Sequence, residues 1–68
     1  MKAPNKEVRE LIRKCTRLGL QVERLNGGHF RFFRPDTTDT VVISGTTVGP
    51  RAWQSNRSRL RRVFGVEV

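Results

Sequence analysis

The sequence predicts a single α+β domain over residues 1–68. Its order is helix, three antiparallel strands, helix, with both helices on one face of the sheet. Three observations carry that prediction. An apolar stripe at helical spacing runs from Val8 to Leu18. Two turn signals, "NGG" at 26–28 and "PDTTD" at 35–39, separate three runs of strand length. A second apolar stripe, from Trp53 to Phe64, follows a Gly-Pro pair.

The first helix is expected over 5–18, "NKEVRELIRKCTRL". Val8, Leu11, Ile12, Cys15 and Leu18 repeat at the spacing that puts them on one side of a helix, within about 120° of arc. Asn5 suits the N-cap, and Gly19 stands where a C-cap glycine belongs. Lys6, Arg9, Arg13 and Arg17 fall on the far side, interrupted by Glu7 and Glu10, and read as a solvated face. "LQVERL", 20–25, alternates as a strand. Gly27 and Gly28 tolerate the positive φ of a hairpin turn, "HFRFFR", 29–34, forms the second strand, and β-branched "TVVIS", 40–44, the third. Pro35 and Asp36 favour the turn between them. Pro50 fits the first position of the last helix, with Thr47 or Gly49 as its cap and Gly65 at its end. Trp53, Leu60, Val63 and Phe64 form its apolar side, with Asn56 at the edge. Three strands cannot bury two faces of a sheet, so both stripes must share one face and leave the other open.

A chain this short buries only roughly 60% of its unfolded surface, so its stability margin is thin. Cys15 is the only cysteine, which excludes an intrachain disulfide and fits a reduced, cytoplasmic setting as a small core residue. One cysteine and one histidine fall short of a structural zinc site. Asp36 and Asp39 share a turn with no third carboxylate nearby, whereas hard cations want several oxygens. No cofactor and no metal are expected. No apolar run approaches the ~20 residues that span a bilayer, and no signal-type apolar segment opens the chain.

Charge is the strongest compositional signal. Fourteen Lys and Arg face six Asp and Glu, giving a net charge of +8 and a pI near 11.6. A polyanion is the partner that electrostatics selects, nucleic acid being the commonest. Arginine dominates, and its guanidinium fork matches phosphate oxygens. The last helix carries five arginines and no acid between 51 and 62, so Arg51, Arg59, Arg61 and Arg62 are the candidate phosphate contacts.

Side chains alternate along a strand, so His29, Arg31 and Phe33 share one face and Phe30, Phe32 and Arg34 the other. The helices need Phe30 and Phe32 beneath them, which places His29, Arg31 and Phe33 on the open face. A one-residue bulge near the glycines would invert that assignment. An imidazole, a guanidinium and an aromatic ring in a row supply a general base, a phosphate clamp and a stacking surface for single-stranded RNA. The bland alternative is an exposed turn histidine beside a ring that covers the sheet.

"GGHFRFFRP", preceded by "RKCTRLGLQVERLN" and followed by a β-branched strand and a basic helix, resembles the HicA family of small toxins over roughly residues 6–65. The resemblance implies a double-stranded-RNA-binding-like fold, endoribonuclease activity on mRNA, and neutralisation by an acidic HicB-like antitoxin. It implies His29 as the catalytic residue, after the turn Gly27–Gly28, with Phe32 as the aromatic three positions on. The signature's serine is Gly28 here, and the residue after the histidine is Phe30. The last helix is similar to that of small HicA-like proteins from actinobacteria and their phages. On this reading a neutral imidazole, whose ordinary pKa is about 6.5, takes the ribose 2′-OH proton, and Arg31 stabilises the phosphate. The assembly expected is a monomer or a toxin–antitoxin complex. Two further readings stay open at this point: a non-catalytic nucleic-acid-binding module, such as a phage-encoded regulator with affinity from the arginine helix, and a protein-interaction module in which the basic surface and Phe33 dock an acidic partner such as an antitoxin.

Overall fold

The computed structural model describes residues 6–68, so Asn5 as the first helix's N-cap lies outside the described residues. The observed order is α1 (Lys6–Arg17), β1 (Gln21–Arg24), a single 3-10 turn (Asn26–Gly28), β2 (His29–Phe33), β3 (Thr40–Ser44) and α2 (Pro50–Phe64). The fold is α+β, and the sheet is antiparallel in the order β1-β2-β3. β2 is the central strand. Gln21 faces Phe33 and Arg24 faces Phe30 across one ladder, while His29 faces Ser44 and Phe33 faces Thr40 across the other.

One hydrophobic core holds the layers together. Val8, Leu11 and Cys15 of α1 and Trp53, Leu60 and Phe64 of α2 pack with Phe30, Phe32, Val41 and Ile43 of the sheet. Phe32 is fully buried at the centre of the middle strand. Both helices therefore cover the same sheet face, α1 over β1 and α2 over β3. The polypeptide reverses at each strand–helix junction, so the helices run in the same sense. Glu7 near the start of α1 lies beside Gly49 and Pro50 at the start of α2. At the other end the Arg34 guanidinium lies 5.9 Å from the Phe64 ring. Both helix N-termini thus sit at the end of the sheet where β2 begins with His29.

The helix ends follow from glycine. α1 closes with the paired bonds of a Schellman motif: Leu20 N–H to the Cys15 carbonyl at 3.0 Å and Gly19 N–H to that of Thr16 at 3.1 Å, with Gly19 at φ 93. Leu18 was expected on the core stripe but is 44% exposed. The helix ends at Arg17, and the left-handed Gly19 swings Leu20 into the core in its place. Gly49, not Thr47, caps α2 through its backbone: its carbonyl accepts the Trp53 N–H. Thr47 instead donates its hydroxyl to the Ser44 carbonyl, and its own carbonyl accepts the Trp53 indole N–H at 3.1 Å. Gly65, at φ 68, ends α2 by donating to the Arg61 carbonyl. β2 stops at Phe33, one residue short of expectation, and Pro35 beyond it has no N–H to extend the ladder.

Burial pushes the Cys15 thiol pKa up from 9.0 to about 11, partly offset by the charge of Lys14. The native thiol holds its proton more tightly than the unfolded one. Its share of stability is therefore complete below pH 9 and is lost as pH rises from 9 towards 11. Folded protein should resist thiol-directed alkylation at pH 8 and react at once in urea, and Cys15→Ala should flatten the alkaline loss of stability. Rapid labelling of the folded chain would show that Cys15 is not in the core.

Candidate nucleic-acid interface

The turn before β2 sets the position of His29. Leu25 N–H donates to the His29 carbonyl at 2.8 Å, while Gly45 N–H donates to the Gly28 carbonyl at 2.8 Å. Between them Gly27 stands at φ 81 and Gly28 at φ 80, left-handed conformations that side chains rarely adopt. The imidazole leans back over Gly27, where a Cβ would lie 3.5 Å from its Cδ2. His29 is exposed, and among the described residues its ring has no hydrogen-bond partner.

No bulge interrupts β2, so His29, Arg31 and Phe33 lie on the open face with Glu23 of β1 and Thr40, Val42 and Ser44 of β3. The arrangement differs from a free base, clamp and stacking surface. The Arg31 guanidinium is bound across the strands to Glu23, Nη2 to Oε2 at 2.7 Å, and lies 4.5 Å over the Phe33 ring. Its charge is locally balanced, and the ring is covered on one side by the guanidinium. Arg31 Nε is shielded from solvent and has no hydrogen-bond partner among the described residues. The three side chains form one tier in which Glu23 fixes the guanidinium flat on Phe33. The outer plane of that guanidinium is itself a surface on which a base can stack.

Two residues of this face were not singled out from the sequence. Glu23 reads there as one polar position of a short strand, and only the β1–β2 register puts it opposite Arg31. Ser44 becomes relevant because it faces His29 directly. Its hydroxyl lies 3.0 Å from that of Thr46.

The α2 arginines are not brought to this face. Arg51, Arg59, Arg61 and Arg62 are all exposed, but α2 covers the opposite side of the sheet, and their side of the helix points away from it. Arg51 stands at the His29 end. Arg61 and Arg62 stand at the other end, where Arg61 donates to the Val68 carbonyl at 3.2 Å. The predicted site residues therefore divide into two groups on opposite faces.

No protein-family model, curated protein or solved structure matches the chain. Among the described residues no helix is long and apolar enough to cross a membrane.

Gly45 is the residue that lets β3 approach the turn. A Cβ there would stand 2.6 Å from the Gly28 carbonyl oxygen and 2.8 Å from the Phe30 ring. Gly45→Ala should cost about 1–3 kcal/mol, as overpacking does, and should shift the backbone resonances of Gly28 and His29. Urea denaturation with an amide spectrum checks both. An unchanged midpoint and unmoved resonances would show that β3 does not hold the turn.

Proposed function

We propose that this protein is a small basic RNA-binding domain that cleaves RNA without a metal, in the manner of HicA-like toxins. The observation that carries the reading is the placement of His29. It is an exposed imidazole with no hydrogen-bond partner among the described residues, on a backbone clamped from two sides at the start of the central strand. It lies on a sheet face that no helix covers, in a chain of net charge +8. The α-β-β-β-α order agrees with the double-stranded-RNA-binding-like fold that the resemblance implies.

In the proposed reaction neutral His29 takes the proton of a ribose 2′-OH. The 2′-oxygen attacks the adjacent phosphorus, the bond to the 5′-oxygen breaks, and a 2′,3′-cyclic phosphate forms. The 5′-oxygen takes its proton from water or from the imidazolium, which regenerates the base. Arg31 faces the same space with part of its charge already engaged by Glu23, so its contribution is to seat a base rather than to hold a phosphate alone. With one imidazole and a balanced arginine the enzyme is slow. The signature's serine has no counterpart at Gly28, whose backbone at φ 80 disfavours any side chain; the hydroxyl that faces His29 is Ser44's. An acidic HicB-like antitoxin would silence the protein by covering this open face.

A second reading, non-catalytic nucleic-acid binding, is favoured by one observation. Among the described residues no hydrogen bond orients the His29 ring, and Arg31 on the same strand face is paired to a carboxylate.

The experiment is cleavage of a labelled RNA in EDTA by wild type and His29→Ala. The exposed position lets alanine enter without loss of packing, so the variant should fold and lose at least a hundredfold in rate, the lower end of what a positioned acid–base group contributes (about 10²–10⁴). Undiminished cleavage by the variant removes His29 from the chemistry. Binding without cleavage by wild type selects the second reading.

A further inference from the structure

The charge of this protein is distributed unevenly between its layers. α1 and α2 hold ten of the fourteen bases and only two of the six acids, which leaves four of each in the rest of the sequence. The whole net charge of +8 therefore resides in the two helices, and everything else is neutral. The open sheet face, with Arg31 against Glu23, contributes none of it.

The helices concentrate that charge further. They lie side by side in the same sense on one sheet face. The groove between them is lined by Glu7, Glu10 and Lys14 of α1 and by Arg57 and Arg61 of α2. Both helical acids thus border the groove, Glu10 also lying beside Arg13 and Arg17 and pairing with Lys6 at 4.0 Å. Arg9, Arg13 and Arg17 stand four residues apart on α1, about 6 Å per step. Arg51, Arg59 and Arg62 stand on the outer side of α2 with Ser55 and Ser58 between them. All six arginines are exposed. The α1 row, which reads in isolation as an ordinary solvated face, becomes half of a two-helix surface once α2 is packed beside it.

We infer that this helical surface, and not the His29 face, is where the sugar–phosphate backbone of RNA is held. The inference rests on the nucleic-acid reading above but not on catalysis. Charge complementarity selects a polyanion. The outer rows carry arginine but no exposed aromatic side chain, and aromatic anchors accompany arginine at protein interfaces, so RNA is favoured over an acidic protein. The exposed large apolar residues nearest the helices lie outside the arginine rows, Leu18 beyond the end of α1 and Val48 before the start of α2. Serines interleaved with arginines suit phosphate oxygens, which accept from both. RNA that meets both faces passes round the end of the domain where α2 starts at Pro50–Arg51 and β2 starts at His29. The smallest dimension of the Cα frame is 18 Å, so one short segment cannot touch the two faces at once.

The test measures RNA affinity against salt for wild type and three variants: Arg9/Arg13/Arg17→Gln, Arg51/Arg59/Arg62→Gln, and Arg31→Gln. Glutamine keeps the helix propensity of arginine, and circular dichroism confirms that each variant is folded. The probe is a fluorescent single-stranded RNA, titrated between about 50 and 200 mM salt. Each phosphate contact contributes about 0.7 to the slope of log K against log salt for a single strand. Each helical triple variant should therefore lower the slope by about two, and Arg31→Gln should leave it unchanged. Slopes unmoved by both helical variants would overturn the inference, as would a slope that falls only with Arg31. Binding of an acidic protein, but not of RNA, to the helical surface would also overturn it. If His29→Ala still cleaves while the helical slopes fall, the cleavage reading fails and this one stands. If His29→Ala loses cleavage while the slopes hold, the reverse is true.

Discussion

The structure depends on one constraint: a three-stranded sheet with apolar residues on only one side. Phe30 and Phe32 alternate with His29, Arg31 and Phe33, and Val41 and Ile43 alternate with Thr40, Val42 and Ser44. Both helices must cover the first set, because that is where their own apolar stripes can be buried. Everything else follows from that packing. The helices become neighbours, their polar sides merge into one surface, and the opposite sheet face stays open. Slipping β2 by one residue would bury Arg31 and expose Phe32, so the register of the central strand fixes which chemistry faces solvent.

Glycine holds that register in place. Gly27 and Gly28 take left-handed conformations to start β2 where they do, and Gly45 admits the Gly28 carbonyl at a distance no side chain would permit. His29 is therefore positioned by backbone bonds on both sides rather than by contacts to its ring. Its attachment is fixed, while among the described residues its ring has no hydrogen-bond partner. Glu23, Arg31 and Phe33 are the contrasting case. They are locked to one another across β1 and β2, and offer a rigid plane in place of a mobile charge.

Most of the fold is legible in the sequence because it is written in local signals. Helix periodicity, the two turn segments, Pro50 and the closing Gly19 and Gly65 mark every element to within a residue or two. Leu18 misleads because periodicity continues one residue past the point where Gly19 turns the polypeptide. The parity of β2 is also legible, since only Phe30 and Phe32 can feed the core. What the sequence does not display is anything that needs two elements at once. The Glu23–Arg31 pair requires the β1–β2 register, Ser44 beside His29 requires that of β2–β3, and the clash at Gly45 requires both the turn and β3. The opposite orientation of the α2 arginines and His29 follows only from the layer order, and a linear reading of the arginine content pools them into one site.

In the proposed division of labour between the layers, the helices contact phosphate and the open sheet face presents the imidazole. An amide chemical-shift map, recorded while a non-cleavable 2′-deoxy analogue of the RNA is titrated in, tests it most directly. Shifts are expected along the outer sides of α1 and α2, continuing round the Pro50–Arg51 end to His29, with the middle of β1 little affected. Shifts confined to Glu23, Arg31 and Phe33, with both helices silent, would contradict it.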